Sequence, residues 1–233
     1  MDYPKGIVIF LEFYGLPGCG KSTVSHTVAK LLREKGYTVD EPSFDIDHQR
    51  TLFKLPQKLF IACFWLIIHN KEFRSIRNVV KRNGYEGMGA LKQTVNVVQK
   101  IRTYNQNAGT QICIWDQGLV QACISLSVNG KVSAEDNYAS LIPLIKRNIK
   151  IVPVFMPVEI DVALKRVNER PSNDSRVEKL ARQEQKKDML MQFQKGIDSI
   201  QNTITGKNVV VEDLENLADK VSVTLQKVLG AIK

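Results

Sequence analysis

The sequence predicts an α/β protein: a parallel sheet of about five strands with helices on both faces. Short apolar runs alternate with longer segments of helical periodicity along the whole chain, and this alternation is typical of parallel sheets. The first run, residues 7–14, is almost unbroken, as expected for a strand buried on both faces. With 233 residues, 43% of them hydrophobic, and no internal repeat or linker, residues 1–233 are expected to form a single domain.

The predicted strands and helices follow one another in a regular order. The strands are expected at residues 7–14, 37–41, 111–116, 149–156 and 208–212. The helices are expected at residues 23–35, 49–70, 72–82, 90–104, 133–147 and 158–170, from 175 onward, and at 214–232. Gly36 ends the first helix and Pro42 ends the second strand. Ser175-Arg176-Val177-Glu178 has the form of a capping box and predicts the start of the long helix after it.

The composition indicates phosphorylated ligands and a reducing compartment. The net charge is +9, from 33 Lys and Arg against 24 Asp and Glu, which suits phosphates or nucleic acid. The alternative for most of these lysines is a solvated basic surface. Nucleic acid is not expected, because no basic run has interleaved aromatic residues. The 4 cysteines are scattered without C-x-x-C pairs, which predicts reduced thiols and a cytoplasmic location.

Two apolar stretches are too short to predict membrane spans. The N-terminal run leads into a glycine-rich segment rather than a cleavage site. Residues 59–68 are about half the ~20 residues that a spanning helix needs, so we expect a buried core helix or, as the alternative, a partner interface. No membrane association is therefore expected, and the sequence leaves a homodimer open.

A glycine-rich segment between the first strand and the first helix indicates the chemistry. It reads Gly15-Leu16-Pro17-Gly18-Cys19-Gly20-Lys21-Ser22-Thr23 and fits G-x-x-x-x-G-K-[ST] in full. Glycines let several backbone N–H groups approach a phosphate chain, and a helix N-terminus favours an anion. We expect this segment to bind ATP through Gly15, Gly18, Cys19, Gly20, Lys21, Ser22 and Thr23. Lys21 would contact the β- and γ-phosphates, and the Ser22 hydroxyl would ligate Mg²⁺.

The alternative interpretation of the segment is a glycine-rich turn with an accidental Lys-Ser. The strand before it and the helix after it favour a nucleotide-binding loop, because that order of elements is what the motif requires.

Asp116 is the second candidate site residue. It follows four apolar residues at the end of a predicted strand, where a carboxylate can hold Mg²⁺ or accept a proton from the attacking oxygen. The alternative is a turn aspartate before Gly118. The independent prediction of a phosphate loop favours the functional role.

Three arginines and one glutamate complete the candidate site. Arg166 and Arg170 are one helical turn apart, and Arg176 follows a Pro-Ser-Asn-Asp hinge, so a lid at about 166–178 could close over the phosphates. The alternative is surface arginines paired with Glu169 and Glu178. Glu41 is a candidate to orient or deprotonate an acceptor hydroxyl, or else part of a solvated acidic loop that also includes Asp45 and Asp47.

The order of these parts resembles the thymidylate kinase and deoxynucleoside kinase branch of the P-loop kinases, from about residue 7 to residue 213. The phosphate loop is the specific portion, and Glu41-Pro42, Asp116 and the segment from Arg166 to Glu178 are similar to the family's shorter motifs. The resemblance implies a P-loop fold of the nucleotide-kinase type with a small helical lid. It also implies ATP- and Mg²⁺-dependent phosphoryl transfer to a small-molecule acceptor, namely a nucleoside or nucleoside monophosphate.

Two residues depart from the family's pattern. Gln117 stands where the family has an arginine that helps to hold the acceptor, and Tyr14 stands where many members have glutamate. Two alternatives therefore remain at this point: a kinase of another small hydroxyl compound, and a nucleotide-dependent switch without an acceptor.

Overall fold

The computed structural model of the protein describes residues 8–41, 70–85, 88–104, 112–145, 149–170, 176–204, 208–211 and 216–232. These residues form five strands: β1 (Val8–Gly15), β2 (Val39–Asp40), β3 (Ile112–Trp115), β4 (Ile149–Met156) and β5 (Val209–Val210). They also form eight α-helices: α1 (Lys21–Glu34), α2 (Asn70–Arg82), α3 (Met88–Tyr104), α4 (Leu119–Ser127), α5 (Ala134–Leu141), α6 (Ile160–Asn168), α7 (Gln183–Thr203) and α8 (Leu217–Ile232).

The five strands form one parallel sheet in the order β2-β3-β1-β4-β5, which confirms the predicted α/β class. β1 is the central strand, and all eight of its residues are buried. It pairs with β4 along its whole length, from Val8 opposite Ile149 to Gly15 opposite Met156. Because the strands are parallel, the carboxyl ends of β1 and β3 meet at one edge, and ligands of open α/β sheets bind at such an edge.

The first helix lies directly after the central strand and buries one apolar stripe. Val24, Val28 and Leu32 recur at intervals of four residues and are almost completely buried. α1 packs against the sheet and against α8. The rest of the core is continuous with this cluster, so the phosphate loop between β1 and α1 is held at both ends by packed elements.

Helix α4 was not predicted, and its composition explains why. Seven of its nine residues are buried, on all sides of the helix. A helix that is apolar all round has no 3.6-residue alternation for sequence analysis to detect. This matters for function, because α4 follows Asp116 directly.

Two predicted helix boundaries were wrong. The long helix α7 begins at Gln183, whereas residues 176–179 form a turn. Glu178 lies in this turn, where it is buried and its carboxylate pairs with Arg170 at 3.4 Å. The helix predicted at 133–147 divides into α5 and a 3₁₀ turn at Ile142–Leu144, where Pro143 lacks the N–H that would continue the helix.

Some predictions fall outside the described residues. These are the helix at 49–70 with its apolar residues 59–68, the acidic residues Asp45 and Asp47, and the hinge at 171–174. Among the described residues, no helix combines the length and apolar character needed to cross a membrane.

Candidate active site

The predicted phosphate loop connects the carboxyl end of β1 to the first turn of α1. Gly18 adopts φ 88°, and a Cβ at this residue would lie 2.7 Å from the carbonyl oxygen of Ala163 on α6. Position 18 therefore needs glycine for both its backbone conformation and its close packing. Cys19 is buried and donates its backbone N–H to the carbonyl oxygen of Leu16, which tightens the turn.

The ammonium group of Lys21 lies against this loop. Its Nζ donates to the carbonyl oxygens of Gly15 and Leu16, each at 3.0 Å, and lies 3.6 Å from Cys19 Sγ. The loop thus holds a cation beside its own N–H groups, and both attract an anionic ligand.

Ser22 and Asp116 meet at the base of the loop. The Ser22 hydroxyl donates to Asp116 Oδ2 over 2.7 Å, which joins the start of α1 to the residue after β3. Both side chains offer oxygen atoms, the ligand type that Mg²⁺ prefers. The described residues contain no cluster of three or more His, Cys, Asp or Glu that could hold a metal alone. The pair therefore fits Mg²⁺, which takes one or two protein ligands and completes its shell with phosphate oxygens and water.

A cavity of about 240 Å³ brings most of the predicted site residues together. Lys21, Ser22 and Asp116 line it, and so do Arg170 and Arg176 from the predicted lid segment. Gln117, the residue that departs from the family's pattern, also lines it. The predicted phosphate-binding groups thus come from three separate parts of the sequence and line one cavity.

The two arginines of this cavity have different partners. Arg170 pairs with the buried Glu178, as the alternative of arginines paired with glutamates predicts. Arg176 donates to the carbonyl oxygen of Ser125 at 2.8 Å and lies 3.5 Å from the Tyr85 hydroxyl. The side chain of Arg170 is 44% exposed, and Arg176 is also an exposed residue. Both arginines can therefore still reach a ligand.

Two of the six predicted catalytic residues do not line the cavity, and neither do Gly15, Cys19 and Thr23 of the predicted loop. Arg166 is exposed on α6 and does not line it. Glu41 is 5% exposed and pairs with Arg33 at 2.7 Å and with His26 Nδ1 at 3.1 Å. Its carboxylate therefore connects the end of β2 to α1.

A second cavity, of about 420 Å³, adjoins the first. The two share Gln93, Ser125 and Arg176 in their walls. The remaining wall is largely apolar and comes from Tyr85, Gly89, Ala90, Thr94, Ala122 and Leu126. Arg176 is the one charged side chain among the described residues that line it.

Sequence reasoning missed three polar residues at this site: Glu12, Gln93 and Gln121. Glu12 is 3% exposed within β1, and a single acid inside an apolar run was the signal that could have revealed it. Gln121 is not part of the glycine-rich motif, but its side-chain oxygen accepts a hydrogen bond from the N–H of Gly15 at 3.2 Å. Gln93 and Gln121 lie on helices without any recognisable motif, so no sequence signal pointed to them.

Comparison with known proteins identifies the fold. No protein-family model and no curated protein sequence matches the chain. Among solved structures, thymidylate kinase from Ehrlichia chaffeensis is similar over 97% of this chain and 99% of its own, with a TM-score of 0.51 and 14% identity. Shikimate kinase from Acinetobacter baumannii, solved in complex with shikimate, is similar over 97% of this chain and 95% of its own, with a TM-score of 0.51 and 16% identity.

The chain has the P-loop kinase fold. At these identities the likeness concerns the fold alone, because folds host many functions and activity depends on the site. In this fold the phosphate-binding loop connects the first strand to the first helix. The segment from Gly15 to Thr23 has the same position in this chain.

Proposed function

We propose that the protein catalyses ATP- and Mg²⁺-dependent phosphoryl transfer to a small-molecule acceptor. The observation that carries this proposal is the Ser22–Asp116 hydrogen bond beside Lys21 in one cavity. A phosphate loop, a hydroxyl and carboxylate pair and nearby cations are the recurring parts of phosphoryl-transfer sites. The P-loop kinase fold supports the same reaction class.

The chain's own residues divide the work of binding and charge stabilisation. Backbone N–H groups of the loop bind the phosphates, and Lys21 neutralises the β- and γ-phosphate oxygens. Ser22 and Asp116 would hold Mg²⁺, which supplies further charge neutralisation when it is bound. Arg170 and Arg176, which line the same cavity, stabilise negative charge on the transferring group.

The second cavity is the proposed acceptor site, because it adjoins the first and shares Gln93, Ser125 and Arg176 with it. An acceptor bound there can present its hydroxyl at the junction, next to the phosphates. Its oxygen forms a bond to the γ-phosphorus as the bond to the bridging oxygen breaks and ADP leaves. The hydroxyl proton passes to Asp116 or to water.

The acceptor is proposed to be a nucleoside or nucleoside monophosphate. Another small hydroxyl compound is the second candidate, because the described wall of the second cavity is largely apolar and Gln117 brings no charge to the first cavity. A cavity of about 420 Å³ is of ligand size, and its described wall is largely apolar with one cation, Arg176.

A ligand screen followed by a coupled assay tests the proposal. The thermal stability of the protein is measured with nucleosides, nucleotides and small hydroxyl compounds, each with and without ATP and Mg²⁺. Compounds that stabilise the ATP-bound protein are then tested for acceptor-dependent ADP release. A kinase releases ADP only when its acceptor is added, whereas ADP release that is independent of every compound would indicate a nucleotide-dependent switch.

A further inference from the structure

Glu12 is a buried acid in the middle of the central strand, and it lies at the N-terminus of α4. One carboxylate oxygen, Oε1, accepts the backbone N–H of Gln121 at 2.9 Å. The backbone N–H groups of Leu119 and Val120 also interact with this carboxylate and favour its ionised form. The first N–H groups of a helix have no partner within the helix, so Glu12 satisfies the donors of the first turn of α4 from another element.

The loop before α4 is shaped around the same side chain. A Cβ at Gly118 would lie 2.4 Å from Glu12 Cδ and 2.7 Å from its Cγ and Oε2, so no larger residue fits at this position. Gly118 follows Asp116 by two residues. The glutamate therefore limits where the segment from Asp116 to Gly118 can lie.

A second contact ties the first turn of α4 to the phosphate loop. The side-chain Oε1 of Gln121 accepts the backbone N–H of Gly15 at 3.2 Å. Gln121 is 8% exposed and lines the cavity, so this contact is as buried as that of Glu12. Through Glu12 and Gln121, β1 holds α4 at two points, and Asp116 projects from the same held segment to reach Ser22.

We propose, on the basis of the phosphoryl-transfer function above, that Glu12 is a positioning residue: its buried carboxylate fixes the first turn of α4 and thereby the placement of Asp116 against Ser22. Glu12 does not line the cavity, so it acts through α4 rather than on the ligand. A small displacement of a catalytic group lowers the reaction rate strongly, so a residue outside the cavity can affect kcat through its effect on Asp116.

The protonation state of Glu12 bears on this role. Burial raises the pKa of Glu12 from 4.5 to about 7, although the three backbone N–H groups act in the opposite direction. The titratable groups that interact with it are Tyr14 on β1, Cys123 on α4 and Tyr138 on α5, all neutral near this pH. The ionised carboxylate can accept from all three N–H groups, whereas the protonated acid must use part of one oxygen as a donor. The first turn of α4 should therefore loosen as the pH falls below about 7.

Hydrogen exchange of the unmodified protein tests the inference without requiring turnover. The amides of residues 119–121 are followed from pH 6 to pH 8 and corrected for their intrinsic rates. We expect their protection to fall about threefold to tenfold toward pH 6, as the loss of one hydrogen bond allows. In the variant Glu12→Gln this pH dependence should disappear, whereas Tyr138→Phe, which alters a neighbour of Glu12, should keep it. Protection at 119–121 that is constant with pH in the unmodified protein would refute the role of Glu12.

Kinetics with the acceptor found by the screen separates positioning from a structural role. We expect kcat of the unmodified protein to rise with pH through an apparent pKa of about 7. Glu12→Gln should lower kcat roughly tenfold to a hundredfold, change KM for ATP less than about twofold and remove this limb of the profile. An unchanged kcat and profile in Glu12→Gln would overturn the inference. A pH-dependent exchange at 119–121 in a protein without any phosphoryl transfer would instead refute the proposed function and leave the contact of Glu12 intact.

Discussion

Ser22 and Asp116 are 94 positions apart in the sequence, yet the hydroxyl of Ser22 donates to the carboxylate of Asp116 over 2.7 Å. Ser22 lies in the first turn of α1, and Asp116 follows β3. Parallel pairing of β1 with β3 brings these two chain segments to the same edge of the sheet. The contact is therefore a direct consequence of strand order, and it places the two proposed Mg²⁺ ligands beside Lys21.

Replacing Asp116 by asparagine should remove the charge of this pair and keep its shape. We expect Asp116→Asn to reduce kcat at least about a hundredfold, because a neutral amide binds Mg²⁺ weakly and the pair loses its anionic ligand. The fold should persist, since the amide oxygen can still accept from Ser22. ADP release measured over a range of Mg²⁺ concentrations checks the prediction. Asp161→Asn, at a surface carboxylate paired with Lys187, is the matched control. An Asp116→Asn protein whose activity depends on Mg²⁺ as that of the unmodified protein does would refute the metal role.

The Lys21 ammonium should be essential for turnover but not for folding. In the described contacts it bonds only two loop carbonyls and the Cys19 sulfur, so its loss leaves no buried charge unpaired. Lys21→Ala should lower kcat at least about a hundredfold, because the cation stabilises charge on the transferring phosphoryl group. Lys30→Ala removes an exposed lysine from the same helix and should leave kcat within about twofold. Turnover near the unmodified level in Lys21→Ala would contradict a catalytic loop.

The sequence was sufficient to predict where the local parts of the candidate site lie in the fold. The phosphate loop is contiguous in the chain, and its glycines, lysine and serine have a fixed spacing that the flanking strand and helix confirm. Asp116 was predictable because an acid at the end of a buried strand lies at the ligand-binding edge of a parallel sheet.

The contacts that depend on tertiary packing were not predictable in the same way. Glu12 and Gln121 meet because α4 packs against β1, and α4 itself has no amphipathic pattern. Glu41 looked like an acid in an open loop, but Arg33 and His26 on α1 pair with both of its oxygens. A polar residue's partner is set by elements far away in the sequence, so its role cannot be inferred from its neighbours in the chain.

Glu12 should make the stability of the protein depend on pH. Its pKa is about 7 in the folded protein against an ordinary 4.5, so the folded state binds more protons between these values than the unfolded state does. The contribution to the unfolding free energy is complete below pH 4.5 and is lost as the pH rises to about 7, by about 3 kcal/mol in total.

Urea denaturation at pH 5, 6, 7 and 8 measures this effect. In Glu12→Gln the unfolding free energy should no longer fall between pH 5 and pH 7 because of Glu12. In Glu135→Gln, which changes an exposed glutamate on α5, this fall should remain. The folded protein is thus less stable when Glu12 is ionised, although the positioning role needs the ionised form. Such a trade-off between stability and activity is common. Parallel slopes for Glu12→Gln and the unmodified protein would show that Glu12 titrates near its ordinary pKa.

Gln117 should make thymidine monophosphate a poor substrate. Its side chain lines the cavity beside Asp116, where the resembling kinases have an arginine, and glutamine supplies no charge to an acceptor phosphate. The two basic residues of the preceding helix do not replace it in the described structure: Arg102 pairs with Glu72 at 2.9 Å, and neither Arg102 nor Lys92 lines the two cavities. We expect Gln117→Arg to raise kcat/KM for thymidine monophosphate roughly tenfold or more, as a charged hydrogen bond allows.

Two comparisons make the Gln117 experiment decisive. Gln117→Lys adds the charge without the planar fork of arginine, so its gain should be smaller. Neither variant should improve the use of thymidine, which has no phosphate to contact. The first measurement is kcat/KM for thymidine monophosphate on the unmodified protein. A value of roughly 10⁴ M⁻¹s⁻¹ or more lies in the ordinary enzyme range, and it would mean that the acceptor phosphate is held by other groups and that Gln117 does not restrict the substrate.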